Sequence, residues 1–282
     1  MTFKSYKKPW VALRNRIKKD DSSQIIKFLD SIAPSEKART ISHLNKEELI
    51  DLVSALTSDQ AAELLEDIPD EQAAGLIELL PSKDAKDIVD ELPTADQADI
   101  LADMDKVSAE AILEEMSSEN AEKTREILQY PEDSAGGIMR TEFLAFEDKI
   151  TVGEVLDDLH QNSAKYSDYQ VQYVYITSSN SQLMGVLRLR DFLFSSRGKE
   201  IKSLTVIDPL RVHVDAPLDS LMEIFEENNY MGIPVVDKQS RIVGVVRRKD
   251  VMEAFGDRNK NTYLKASGIV GGEELRSMPL CS

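Results

Sequence analysis

The amino-acid sequence predicts an all-α superhelix of short helices followed by an α+β module present twice. Three observations predict that combination. Prolines recur every 12 residues in the first half, at Pro69, Pro81 and Pro93. The second half repeats itself, with MGVLRLRDFLF at 184–194 matching VGVVRRKDVMEAF at 243–255. Between the halves, YPEDSAGGIM at 130–139 breaks the helical pattern with Pro131 and the Gly136-Gly137 pair, the mark of a connector. At 282 residues the chain is long enough for two separate cores.

Residues 1–21 read as a basic arm. Lys4, Lys7, Lys8, Arg14, Arg16, Lys18 and Lys19 stand in it with no acid among the first 19 positions, which suits an anionic membrane surface or plain solvation. Residues 22–128 carry the superhelix. Each proline of the frame follows an apolar residue (Ile68, Leu80, Leu92), and the frame extends back to Thr57 and Asn45 and on to Asp105 and Ser117. Proline fits the first turn of a helix and not deeper, so each mark predicts a new start. Asp, Ser or Thr at such a point can take orphan backbone N–H groups. About two turns fit before the next mark. Helices that short are unstable alone and must stack on their neighbours.

Residues 129–139 form the connector, 140–203 and 204–257 the two copies of the α+β module, and 258–282 a trailing linker. The apolar pattern is strand-like at 172–176, 183–189 and 233–236. ITVGEVLDDL at 150–159 matches APLDSLMEIF at 216–225 as a helix that starts just after a strand. Each copy therefore reads strand–helix–strand–turn–strand–helix. Gly185 and Gly244 lie 59 residues apart, as do Asp191 and Asp250.

The 34 Lys+Arg against 51 Asp+Glu give a formal net charge of −17. That argues against nucleic acid, whose nonspecific binding draws on a basic surface. Residues 58–133 hold 23 acids and 5 basic residues, a balance that favours cations as ligands. Cys281 is the only cysteine, so no intramolecular disulfide or thiolate metal cluster is expected. Together with an N-terminus lacking a signal peptide's apolar core, this fits a reducing, cytosolic location. No run approaches the length of a bilayer span. No phosphate-cradling glycine loop, Gly-x-Ser-x-Gly or Cys/His pairing occurs, so no enzyme is expected.

IPVVD-x6-GVV-x3-DV (233–251) resembles a CBS motif. The connector followed by TEFLAF-x4-TVGEVLDDL (141–159) resembles the junction of the MgtE magnesium channels, where an acidic helical superhelix meets a tandem CBS pair. The resemblance covers roughly residues 22–282. It implies a homodimer formed through the CBS domains, lying on the cytoplasmic side of the cell membrane. Residues 258–282 would lead towards a transmembrane pore domain that this chain does not contain, making the chain a cytosolic piece of a longer channel. It also implies that Mg2+ bridges acidic faces of the helical domain and the CBS pair, closing the assembly and the pore when internal Mg2+ is high.

Mg2+ takes oxygen ligands in near-octahedral geometry and keeps several waters, so one or two carboxylates make a weak site suited to sensing an abundant ion. His43, His160 and His213 are scattered, without the spacing of a transition-metal site. By matching segments, the resemblance places Glu63 at the interdomain acidic position and Asp96 and Asp99, on one helical face, at the next acidic cluster. Asp250 would face the helical domain, Asp219, Glu226 and Glu253 would line other cation positions, and Gly137 would offer a carbonyl. The chain departs from the family pattern at Ala95 and Asn229, where acids are frequent, and in Arg247, Arg248 and Lys249, which crowd Asp250 and could pair with it in place of a metal.

Two alternatives stay open. CBS pairs also bind adenine nucleotides such as ATP, usually with a Thr or Ser three residues after the strand glycine and an Asp three further on. Here Arg188 and Arg247 replace the hydroxyls, while Asp191 and Asp250 keep the acids. Pro-punctuated acidic helices also resemble protein–protein adaptors of the flagellar switch, which lack a CBS pair.

Overall fold

In the computed structural model, residues 6–19, 21–167, 169 and 171–266 are described. They form two compact units, Met1–Gln129 and Tyr130–Ser282. The first is built of α1 (Pro9–Ile17), α2 (Ser22–Leu29), α3 (Pro34–Ile41), α4 (Lys46–Ser54), α5 (Ser58–Glu66), α6 (Asp70–Ile77), α7 (Ser82–Val89), α8 (Thr94–Ala102), α9 (Lys106–Glu115) and α10 (Ser118–Ile127).

The residues capping α2 to α10 are Asp21, Ala33, Asn45, Thr57, Pro69, Pro81, Pro93, Asp105 and Ser117, every one 12 positions after the last. The frame thus runs two helices further back than its expected reach to Asn45. Asn45 and Thr57 make capping boxes with Glu48 and Gln60, and Asp21, Asp105 and Ser117 accept from backbone N–H groups of their first turns. The three frame prolines sit one place earlier than expected. They cap their helices instead of entering the first turn, with extended backbone (φ −60°, ψ 144° at Pro69) and a carbonyl that accepts the first helical bond.

Along the acidic half the packing skips one helix: α5 lies on α7, α6 on α8, α7 on α9 and α8 on α10. Ala61, Ala73 and Ala85, one on each of α5, α6 and α7, are buried, and side chains that small let short helices approach closely. One core runs from Leu13 to Ala121. A buried polar hook adds register, with Thr124 Oγ1 donating to Gln97 Oε1 at 2.8 Å and Gln97 Nε2 to the Leu92 carbonyl at 2.7 Å. The basic stretch is not an arm throughout. Leu13 and Ile17 of α1 are in the core, while Lys7, Lys8, Lys18 and Lys19 stay exposed.

The second unit holds a short helical turn α11 (Ala135–Ile138), then β1 (Leu144–Glu147), α12 (Val152–Gln161), β2 (Tyr173–Thr177), β3 (Leu183–Arg188), α13 (Leu189–Leu193) and β4 (Val206–Ile207). The second copy follows as β5 (Val212–His213), α14 (Leu218–Glu227), β6 (Gly232–Val236), β7 (Ile242–Arg247) and α15 (Arg248–Ala266). The sheets have the orders β1-β2-β3-β4 and β5-β6-β7. In each, the first pair is parallel, as a strand–helix–strand crossover requires, and the next antiparallel. Tyr175, Leu183, Val236 and Ile242 form a buried cluster shared by the two copies.

The copies exchange their lead-in segments. The segment upstream of the first copy completes the second: Ala135 N–H donates to Ala216 O at 2.8 Å, and Leu218 N–H to Asp133 O at 2.8 Å. The segment between the copies completes the first with the same bonds displaced by 66 residues: Ile201 N–H to Ile150 O, and Val152 N–H to Lys199 O. Each lead-in crosses a strand glycine. A Cβ on Gly244 would stand 2.6 Å from Met139 Sδ, and one on Gly185 2.1 Å from Thr205 Cγ2. The two glycines therefore occupy matching positions because the lead-in packs directly on them, through the Met139 side chain at Gly244 and through Thr205 and the Val206 carbonyl at Gly185. The expected boundaries at 139/140 and 203/204 cut this arrangement. Residues before 140 pair with the second copy, and β4, after 203, belongs to the first sheet.

Candidate functional site

In the helical unit, the α5 face carries exposed Glu63 at the mouth of a groove of about 260 Å³ lined also by Asp30, Lys37, Glu66 and Asp67. Lys37, 8 % exposed, is tied to Asp67 and so leaves the outer carboxylates uncovered by this lysine. On α8, Asp96 and Asp99 sit half-buried three residues apart, on one face by helical geometry. Ala95 beside them is buried at 5 %, packed inward where an acid would have no water.

In the CBS unit the predicted residues meet different fates. Glu226 on α14 and Glu253 on α15 are exposed, and Glu253 Oε1 lies 3.4 Å from Lys249 Nζ. Asp219 pairs with Arg258 through both oxygens, one contact being 3.0 Å from Nη1, and Arg258 draws its carboxyl below the ordinary range. Asp219 is exposed and Arg258 half-buried, and ion pairs open to water contribute little, so an ion could displace the arginine. Gly137 is buried in α11, with its N–H donated to Ser134 at 3.1 Å.

Asp250 departs from the expectation. Its carboxylate accepts from Arg247 Nε at 2.7 Å and Nη2 at 2.6 Å, and from Arg140 Nε at 3.3 Å and Nη2 at 3.4 Å. The three side chains are only 10, 17 and 13 % exposed. Burial pushes the Asp250 carboxyl up, but the hydrogen bonds and charges of the two arginines outweigh it and hold it below the ordinary range. Both oxygens are occupied by guanidinium, so Asp250 does not present a free face to a cation. Arg247 is anticipated by its place in RRKD. Arg140, 110 residues away in sequence, is not, and only the exchange of lead-ins brings it there.

The first copy differs at the matching positions. Residue by residue the equivalents of Arg140, Arg247 and Asp250 are Val206, Arg188 and Asp191. Val206, Arg188 and Asp191 are all exposed. Among the described residues no group of three or more His, Cys, Asp or Glu gathers as a metal cage within the chain. No helix of the described residues is long and apolar enough to cross a membrane.

A Pro-framed acidic superhelix followed by a duplicated α+β module defines a modular protein of two units. Comparison with known proteins is specific about which one. Residues 11–88 and 32–133 match the MgtE intracellular N domain, and residues 201–257 the CBS domain. The chain belongs to the MgtE family. The magnesium transporter MgtE of Enterococcus faecalis is 27 % identical over 156 residues, 55 % of this chain and 34 % of that protein. That of Thermus thermophilus is 29 % identical over 129 residues, 46 % of this chain and 28 % of that protein. The match thus takes in about a third of the length of these relatives. A crystal structure of the cytosolic domain of the Mg2+ channel MgtE in complex with ATP superposes with a TM-score of 0.76 at 25 % identity. It covers 86 % of this chain and 99 % of that one.

Proposed function

We propose that this chain is the Mg2+-sensing regulatory region of a magnesium channel or transporter, lying on the cytoplasmic side of the cell membrane. The supporting observation is the excess of acid over 58–133, 23 acids against 5 basic residues, a stretch that lies in the helical unit but for its last four positions, in a chain of the MgtE family. Two carboxylates at ~4 Å repel by roughly 1 to 4 kcal/mol, depending on screening. Mg2+ ions between an acidic face of the helical unit and one of the CBS unit turn that repulsion into attraction and favour the closed state of a pore domain outside this chain. Glu63, Asp96 and Asp99 on one side and Asp219, Glu226 and Glu253 on the other supply carboxylates, and the ions keep their remaining waters. The ligand acts by binding one of two states better. A second copy pairs through the CBS unit, where Leu193 and Met252, equivalent positions of the two copies, are 60 and 54 % exposed.

Limited proteolysis across millimolar Mg2+ tests this reading. Protection of the connector should rise with Mg2+ and need higher concentrations in Glu63→Ala and in Asp99→Asn. Protection equal in all three proteins, or matched by NaCl of the same ionic strength, contradicts it.

A second reading is favoured by the difference between the matching residues of the two copies: an adenine nucleotide such as ATP binds the first copy. Asp191 is open to hold a ribose and Arg188 to meet phosphates, whereas Asp250 is already engaged. Calorimetric titration with ATP should show binding weakened by Asp191→Asn and unaffected by Asp250→Asn; the reverse order would overturn the assignment.

A further inference from the structure

Arg140 does more than neutralise Asp250. Its backbone N–H donates to Val245 O at 3.0 Å, and Val245 N–H donates back to Arg140 O at 2.9 Å, so the residue is stitched to the middle of β7. One position earlier, Met139 lies over Gly244 and is 1 % exposed. The guanidinium then closes on Asp250 at the start of α15 together with Arg247. Lead-in, strand and helix are therefore joined at one carboxylate. The first copy has no such joint, because Val206 stands where Arg140 would be and Asp191 is exposed.

We propose that this ionic triad is an internal substitute for a bound cation: Arg140 and Arg247 lock the second CBS copy to its lead-in, and that copy is held without Mg2+. The inference deepens the reading above, since it removes Asp250 from the responsive surface and leaves the response to the other carboxylates. A dication entering here would need to displace two buried guanidinium groups already at hydrogen-bond distance and to shed several waters, which Mg2+ does reluctantly. Like charge between the ion and the arginines opposes entry further.

Amide hydrogen exchange in the unmodified chain tests the lock without any folding risk. The amides of Arg140 and Val245 should be protected equally in EDTA and in millimolar Mg2+. Protection rising about tenfold or more with Mg2+ would overturn the proposal. In Arg140→Gln both amides should exchange about tenfold faster or more at either Mg2+ level, and unchanged exchange would equally overturn it. Scattering from the same samples separates the two readings. A chain that never compacts with Mg2+ removes the sensing function, while the exchange data still decide the lock.

Discussion

Asp250→Ala is expected to destabilise the CBS unit by about 3–5 kcal/mol, the range for breaking a buried ion pair by removing one partner. The variant leaves Arg140 and Arg247 facing each other with like charge, mostly out of water. For a unit of this size the midpoint of thermal unfolding should fall by on the order of 10 °C. The loss is specific to one unit. Trp10, stacked on His43 in the helical unit at 4.0 Å, gives a fluorescence signal that should unfold at an unchanged temperature, while the tyrosine signal of the CBS unit moves. The sign of the pH dependence follows from the carboxyl's lowered pKa. Its contribution is fully present above the unfolded value of about 3.9 and is lost as pH falls through the lower folded value. Unmodified and variant chains should therefore differ at pH 7 and converge under strongly acidic conditions. Equal stability at neutral pH would mean that the triad does not hold the unit together.

Gly137→Ala is expected to be nearly as damaging, for a different reason. An added Cβ would lie 2.3 Å from the Pro131 carbonyl oxygen and 3.0 Å from Glu132 Cα. These are backbone atoms, and the oxygen is fixed further by accepting from Ser134 N–H at 3.0 Å and Ser134 Oγ at 2.7 Å. Neither neighbour can rotate away, so the lead-in must shift, at a cost of about 1–3 kcal/mol or more. Gly136→Ala should cost less, because its nearest contact is the ring of Tyr130. Gly75→Ala is the control. Its Cβ meets nothing within 4 Å on α6, and alanine should stabilise that helix by roughly 0.5–1 kcal/mol. Comparison of unfolding midpoints settles the order. A Gly137→Ala chain as stable as the unmodified one would show that the glycine is there for something other than space.

Local chemistry was legible in the sequence and long-range pairing was not. The 12-residue frame could be read because a helix start is specified by a few adjacent residues, whether a proline, an Asp or a Ser that takes the first N–H groups. The strands at 172–176 and 233–236 could be read for the same reason, from β-branched and aromatic runs between turns. The exchanged lead-ins could not, because hydrogen bonds such as Ala135 N–H to Ala216 O join segments with no local pattern in common. Gly185 and Gly244 were the available signal: glycine inside a strand marks the close approach of another segment. The basic composition of residues 1–19 hid α1, since Leu13 and Ile17 are few among so many charges. Among the candidate residues, RRKD points to Arg247 beside Asp250, but no local pattern points to Arg140 beside Asp250 or to Arg258 beside Asp219. Asp219 and Asp250 look alike in sequence, yet one is exposed in a displaceable pair and the other is buried beneath two arginines.

The account depends on divalent ions neutralising negative surfaces of two units, and the most direct measurement is small-angle scattering of the unmodified chain during a Mg2+ titration. A radius of gyration that falls over the millimolar range, and does not fall in NaCl of equal ionic strength, is the result predicted. A radius that stays constant, or that contracts equally in NaCl, would contradict it.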